Sequence, residues 1–419
     1  MNPAETREQA SWPDRLSRHP RSLLGGHLAA ALLLLLACPT MDSLHGQNQA
    51  EPPKEAPRPK YRLNEIMVIV YADFPNEPEH QLALAKYTVS KGFNCVEAEL
   101  DKLDVCRKAG LKVRLGSIDV NKLLRAAPQL KDDPAVFGYY VSDRRTRSAF
   151  PGFARTARAF EAADPNHPTL FINRAEYNQF PEFVTVVRPM ILDYYHYHWF
   201  HKNHPERYFL YLRMFRDLSV QHGIPQMRCL GSNNPQEKIR QSMYVALAYG
   251  VQAFHFWPPW FVTCQMDKDR NAVLEAGQPV FGLSDAGKTV GDVGLELKAI
   301  GPVLVNLTNV AVYHTDQILP TGAEKAPANL WFQPQGESFL VGLFEDAEKK
   351  RFLLPVNHAV DQARELTLRF QPGVASVELL DRKTAAWRTL ATEAREGQKI
   401  LRLTLAPGDG ELLRVNQRD

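Results

Sequence analysis

The stretch AVFGYYVSDRRTR, Ala135 to Arg147, decides how the rest of the chain is read. Its first half is a continuous apolar run carrying two tyrosines, the pattern of a strand buried on both faces rather than the alternation of a half-exposed one. Its second half turns polar at once. The strand therefore brings Tyr140 and Asp143 to its C-terminal end and runs into a loop holding Arg144, Arg145 and Arg147. Strands of this kind sit in parallel sheets covered by helices, so helical segments are expected on both sides.

Upstream, IMVIVYADF (Ile66 to Phe74) is a second apolar run, followed by a helical stretch that Gly92 closes. NCVEAEL leads into DKLDVCRKAG, where Leu103, Cys106 and Ala109 share a helical face and Gly110 stops it. LKVRLGSI and NKLLRAAPQL repeat the unit up to the breaker KDDP. Downstream, FPGFARTARAFEAADPNHP places Phe153, Ala157 and Phe160 on one helical face. Four further units follow: TLFINRAE with FPEFVTVV, MILDYYHY with ERYFLYLRMFRDLSVQHG, IPQMRCLG with PQEKIRQSMYVALAYG, and VQAFHFW with GDVGLELKAIGPVLVNL. Eight strand-helix units at this spacing imply an α/β fold closed as a (β/α)8 TIM barrel over residues 61–310. An open doubly wound sheet is the alternative, and no glycine-rich dinucleotide fingerprint supports it.

After Ala311 the texture changes to short β runs between charged turns, among them RELTLRF and KILRLTLAPGDGELLRV. Residues 311–419 read as a small C-terminal all-β sandwich. The chain of 419 residues, 44% hydrophobic, suits one large and one small domain. A net charge of +3 without a sustained basic face does not imply a nucleic-acid partner, and none is expected.

At the N-terminus, Arg15, Arg18 and Arg21 precede the apolar run LLGGHLAAALLLLLAC, which is short for a membrane span. Residues 1–46 are expected to be an export signal. The run ends in Leu35, Leu36, Ala37, Cys38, similar to a bacterial lipobox; cleavage near Gly46 is the other reading. The chain is then periplasmic or extracellular, with membrane contact only through a lipid at Cys38. Residues 47–60, rich in proline and charge, read as a linker. Cys95, Cys106, Cys229 and Cys264 form no CxxC pair, which gives no support to a metal or redox centre, and both a disulfide and buried free thiols stay open. No GxSxG elbow and no GxxxxGK loop occurs, and no cofactor is implied.

At GYYVSDRR, FEAADPNHP, ALAYGVQAFHFWPPW and VGLFEDAEKKRFLLPVNHA the chain resembles exported bacterial glycoside-hydrolase-like barrels related to the family-42-type beta-galactosidases of the retaining clan. The resemblance runs from about Tyr61 to Asp419 and implies a carbohydrate ligand. It also implies a proton donor in an acidic pair at the end of strand four, commonly DEP, and a nucleophilic Glu at the end of strand seven. Here Asp143 matches the first acid, but Arg144 and Arg145 replace the Glu and Pro. Strand seven ends in MRCLGSN with no acid. Guanidinium groups beside Asp143 would also hold it ionised, which is unsuited to a proton donor.

In such a barrel, functional groups sit at the C-terminal strand ends. Those ends carry Asp73, Glu97, Glu99, Tyr140, Asp143, Asn173, Glu176, Asp193, Tyr195, Tyr197, His255, Trp257 and Trp260. Rings and hydrogen-bonding groups together suit a sugar. Tyr140, Arg144, Asn173, Asp193, Tyr195, Tyr197, His198, His255, Trp257 and Trp260 are expected to bind it. Asp143 and Glu176 lie on adjacent strands, with Asp193 one strand further, so a non-standard catalytic pair of Asp143 and Glu176 is geometrically open. His196 and His198 share a strand face, but an acidic third metal ligand on that face is not evident. Arg144, Arg145 and Arg147 either grip an acidic sugar or pair with nearby acids. Two function classes remain: a glycosidase with a displaced carboxylate pair, or an inactive relative that binds saccharide or supports an envelope assembly.

Overall fold

The computed structural model describes residues 61–117, 119–143, 146–176, 179–197, 205–232, 235–257 and 260–418, with the side chain of Trp260 left aside. Residues 1–60, where the export signal and linker are expected, with Cys38 among them, and Arg144, Arg145 and His198 lie outside the described residues.

Eight strands form the ring: β1 (Met67–Ala72), β2 (Cys95–Ala98), β3 (Lys112–Gly116), β4 (Val136–Asp143), β5 (Thr169–Arg174), β6 (Leu192–Tyr195), β7 (Gln226–Gly231) and β8 (Val251–Trp257). Each runs parallel to the next, and Met67 and Val68 pair with Ala253 and Phe254 to close the circle. Between them lie α1 (Pro78–Ser90), α2 (Leu103–Ala109), α3 (Val120–Leu130), α4 (Phe150–Ala163), α5 (Phe180–Val187), α6 (Tyr208–His222) and α7 (Gln236–Ala248), and α8 (Asp285–Leu304) follows the eighth strand. The chain is a TIM barrel. Its lower interior is filled by Met67, Ile69, Cys95, Phe137, Leu170, Ile191, Met227 and Ala253, one apolar layer contributed around the ring.

One segment departs from the sequence pattern. Between β8 and α8 the chain adds β9 (Trp260–Cys264) beside the end of β1, a small hairpin of β10 (Leu274–Glu275) and β11 (Gln278–Pro279), and β12 (Phe281–Leu283) antiparallel to β9. These strands are too short to show a period. Helix α8 also starts earlier than its apolar repeat, at a cap where Ser284 Oγ accepts from Gly287 N at 3.0 Å.

The motifs that marked the fold turn out to be joints. Gly138 lies against Pro168, where an added Cβ would stand 2.6 Å from the Pro168 carbonyl, and Tyr139 N donates to that oxygen at 2.8 Å. Tyr139 Oη in turn donates to Asp164 at 2.6 Å, and the same carboxylate caps the backbone of Asn166 and His167. GYY and DPNHP are thus two halves of one contact.

The second domain holds two antiparallel sheets over a separate apolar core. One contains β13 (Thr308–His314), β15 (Phe339–Glu345), β16 (Arg351–Asn357), β18 (Val374–Leu380), β19 (Trp387–Thr389) and β22 (Leu413–Gln417). The other contains β14 (Phe332–Gln335), β17 (Arg364–Phe370), β20 (Glu393–Arg395) and β21 (Gln398–Leu405). This is the β-sandwich, and β13 begins before Ala311. ALAYG is its joint to the barrel: Asn309 Nδ2 donates to Ala248 O at 2.7 Å, and Gly250, at φ +84°, lets the chain turn against Asn309.

A charged cluster completes that seam. Arg382 donates to both oxygens of Asp409 at 2.6 and 2.9 Å and to Glu411 at 3.0 Å, while Arg240 bridges Glu296 and the same Asp409. Tyr244 Oη donates to Glu296. Cys95, Cys106, Cys229 and Cys264 are all buried free thiols. No helix among the described residues is long and apolar enough to cross a membrane.

Candidate functional site

Above the apolar layer the lumen changes character. In a parallel pair, partnered residues point to the same face, so the pairings of Glu97 with Arg114 and of Cys229 with His255 put all four inside the barrel, where Asp193 pairs with the lumen residue Met227. Glu97, Arg114, Asp193 and His255 are each buried. Arg114 donates to Glu97 and stands 4.0 Å from Asp193 Oδ2, while Asp193 Oδ1 accepts from His255 Nε2 at 2.8 Å. A buried charge without a partner costs several kcal/mol, on the order of 3–5 when one member of a pair is removed. The chain Glu97–Arg114–Asp193–His255 offsets that cost residue by residue.

The electrostatics follow. Burial disfavours the His255 imidazolium, but Cys229, Asp193 and the Asp193 hydrogen bond outweigh burial and Arg114 and hold it up at about 9. Burial, then the negative charges of Asp143 and Glu97, push the Tyr140 phenol well above its ordinary value. The Tyr140 ring also lies under the Arg114 guanidinium at 5.0 Å. Asp143 closes β4 and pairs in register with Ile172, placing its carboxylate on this same side.

Nearer the mouth, Tyr195 and Tyr197 stack with centroids 5.0 Å apart, and Tyr197 Oη meets Cys229 Sγ at 3.3 Å. Trp257, half-buried, ends β8 beside Gly231. Asp73, another strand-end acid, is taken by Arg270 at 2.6 Å.

The structure therefore brings Tyr140, Asp143, Asp193, Tyr195, Tyr197, His255 and Trp257 to one lumen and its rim. Asn173 does not join them. It pairs with Tyr194 and donates to Phe171 O at 2.9 Å, and Phe171 and Tyr194 belong to the core between sheet and helices. Glu176 accepts from His196 Nδ1 at 2.9 Å and from Arg174 Nε at 3.0 Å. Burial opposes its ionisation, but the bonds from His196 and its own backbone, with the charges of His196 and Arg174, hold its carboxyl below the usual range. The acid that the sequence did not show beside His196 comes from the end of the neighbouring strand. Arg147 pairs with Glu182 of α5 at 2.7 Å.

Sequence reasoning missed Arg114, the cation that ties the lumen together. Its signal was present: a charged residue in the middle of the apolar strand LKVRLGSI is unstable there without a buried acid. The spacing of Cys229 to other cysteines says nothing of its neighbours, which are His255 beside it on the next strand and the Tyr197 hydroxyl.

No family model matches the chain, and no curated protein matches it. Among solved structures it is similar in fold to a GH27 β-L-arabinopyranosidase from Geobacillus stearothermophilus, with 9% identity and a TM-score of 0.46 over 84% of this chain and 96% of that one. A GH51 arabinofuranosidase from Xanthomonas axonopodis pv. citri matches at 8% identity and a TM-score of 0.40 over 84% and 93%. A sialic acid aldolase from Ruminococcus gnavus matches at 14% identity and a TM-score of 0.32 over 47% and 68%. Likeness at this level carries no argument about activity, since one architecture hosts many chemistries.

Proposed function

We propose that this is an exported protein that binds a carbohydrate at the C-terminal mouth of its barrel, related to the retaining clan but without that clan's acid pair. The observation that carries this reading is the state of the carboxylates Glu97 and Asp193 in the lumen and Glu176 beyond the end of β5. Hydrolysis needs one carboxyl kept protonated and a second ionised, spaced across the sugar. Glu97 is committed to Arg114 and Asp193 to His255, and Glu176 is held ionised between His196 and Arg174. Neutralised charges beneath Tyr195, Tyr197 and Trp257 suit holding a sugar by rings and hydroxyl contacts rather than protonating its leaving oxygen. Export rests on the arginines and apolar run before Cys38, with anchoring by a lipid at Cys38 as its stronger form.

The test is a glycan array with the mature chain, followed by calorimetry on any hit. Binding that Trp257→Ala and Tyr197→Phe weaken is the expected result; an array without hits, or hits indifferent to both changes, rejects the mouth as a sugar platform. The second reading is an enzyme in which ionised Glu176 is the nucleophile or base and Asp143 the acid. It requires turnover of an aryl glycoside that Asp143→Asn and Glu176→Gln each abolish.

A further inference from the structure

A second set of ligating side chains lies on the β-sandwich, where it faces α6 and the end of α7. His314 closes β13 opposite Leu340 of β15, and His358 follows directly after β16 on the far side of β15, so the two histidines flank one strand. Asp316 sits two residues beyond His314, on a turn pinned by mutual hydrogen bonds between Thr315 and Phe339 at 3.0 and 3.1 Å. His358 Nε2 is 3.0 Å and His314 Nδ1 is 3.5 Å from the same oxygen, Asp316 Oδ2, and the three ligand atoms all lie within 4.8 Å of one another. Around a tetrahedral ion bonded at about 2.0–2.1 Å, neighbouring ligand atoms stand roughly 3.3 Å apart. The observed separations bracket that value.

The orientation of His314 adds an independent observation. Its ring is buried, and among the described residues its Nδ1 has no hydrogen-bond partner although it faces the Asp316 carboxylate. Its other nitrogen, Nε2, lies 3.0 Å from the Tyr249 hydroxyl, supplied by the barrel. An Nε2–H donated to Tyr249 leaves the Nδ1 lone pair aimed at Asp316, the arrangement by which an outer partner sets the tautomer of a ligating histidine. Phe209 holds both imidazoles edge-on, at 4.6 and 5.9 Å.

We propose that His314, Asp316 and His358 bind one zinc-class divalent cation, with Tyr249 acting as a positioning residue. Two imidazoles and one carboxylate favour zinc, cobalt or nickel over calcium and magnesium, which take oxygen-rich sets. Binding puts the ion in place of the proton between His358 Nε2 and Asp316 Oδ2, and that proton is released to solvent. A cavity of about 440 Å³ lined by His358, Tyr208, Phe209 and Thr321 supplies an entry path. The site joins sandwich ligands to a barrel hydroxyl, and its existence is independent of what the mouth binds.

The experiment uses the untagged chain, stripped with chelator and titrated with Co²⁺ and Zn²⁺. One ion per chain by elemental analysis is expected, together with the visible bands of four- or five-coordinate Co²⁺. His358→Ala and Asp316→Asn should weaken binding at least 100-fold. Tyr249→Phe should weaken it about tenfold while leaving a chain that melts cooperatively. Binding well below one ion per chain, affinity unchanged in His358→Ala, or preference for Ca²⁺ or Mg²⁺ would each overturn the assignment. His358 is partly exposed, so its variant reports even where His314→Ala fails to fold.

Discussion

Two charge clusters, one buried and one half-buried, hold this molecule, and they differ in what their charges face. In the lumen, Glu97, Arg114, Asp193 and His255 come from four strands of one ring and lie buried inside it. At the seam between barrel and sandwich, Arg240, Glu296, Arg382, Asp409 and Glu411 come from two domains and face one another and the Tyr244 hydroxyl. At the seam Asp409 takes both nitrogens of the Arg382 fork, which favours fixed orientation. The lumen instead spreads one guanidinium and one imidazole over two acids, leaving an oxygen of Asp193 without a hydrogen-bond partner among the described residues. Arrangement, rather than charge content, separates a joint from a site.

The largest effect should come from removing the lumen cation. Arg114→Met leaves Glu97 and Asp193 buried against each other, and urea denaturation should show a loss of about 3–5 kcal/mol. Arg382→Met should cost less, about 1–3 kcal/mol, because water reaches part of that cluster. It should also split unfolding into two transitions as the sandwich loosens from the barrel. Equal losses with a single transition in both variants would erase the distinction drawn here.

Acidity separates the clusters next. Burial, with Asp409 and Glu296 prevailing over Arg382 and Arg388, raises the Glu411 carboxyl from 4.5 to about 7. Between those values the folded state holds more protons than the unfolded one, so this group's contribution to stability falls as pH rises from about 4.5 to 7. His255, raised from 6.5 to about 9, contributes fully below 6.5 and loses that contribution as pH rises through 9. Glu411→Gln should flatten the first window and His255→Gln the second; a variant that flattens the other's window would break the pairing of cluster with pH range.

Smaller effects concern the rim. Trp257→Ala, at a half-buried position, should leave the melting temperature nearly unchanged while weakening any glycan bound at the mouth about tenfold. Arg144→Glu restores the resemblance's acidic pair but not the strand-seven acid, so no retaining hydrolysis of an aryl glycoside is expected from that change alone. Measurable turnover there would move the chain from the binding class toward the enzyme class.

The strands and helices were legible because each is a local pattern: apolar runs of strand length, helical faces such as Leu103–Cys106, and glycines at helix ends. The joints were legible as motifs but not as contacts, since GYY and DPNHP meet only when Tyr139 reaches Asp164. Asn173 shows where reading the site failed. A parallel strand buried on both faces carries no hydrophobic alternation, so TLFINR does not say which residues face the lumen. Arg114 failed for another reason, because its two acids lie on neighbouring and opposite parts of a ring that exists only after closure.

By itself, then, the sequence determined the eight-unit barrel and the change to a sandwich, both properties of residue type and local period. Tertiary structure decided which side chains share the lumen, which carboxylates are already committed, and that His314, Asp316 and His358 meet. Those facts depend on strand phase and on contacts between residues distant in the chain. Side-chain direction and pairing free energy arise only when the ring closes and the sandwich docks.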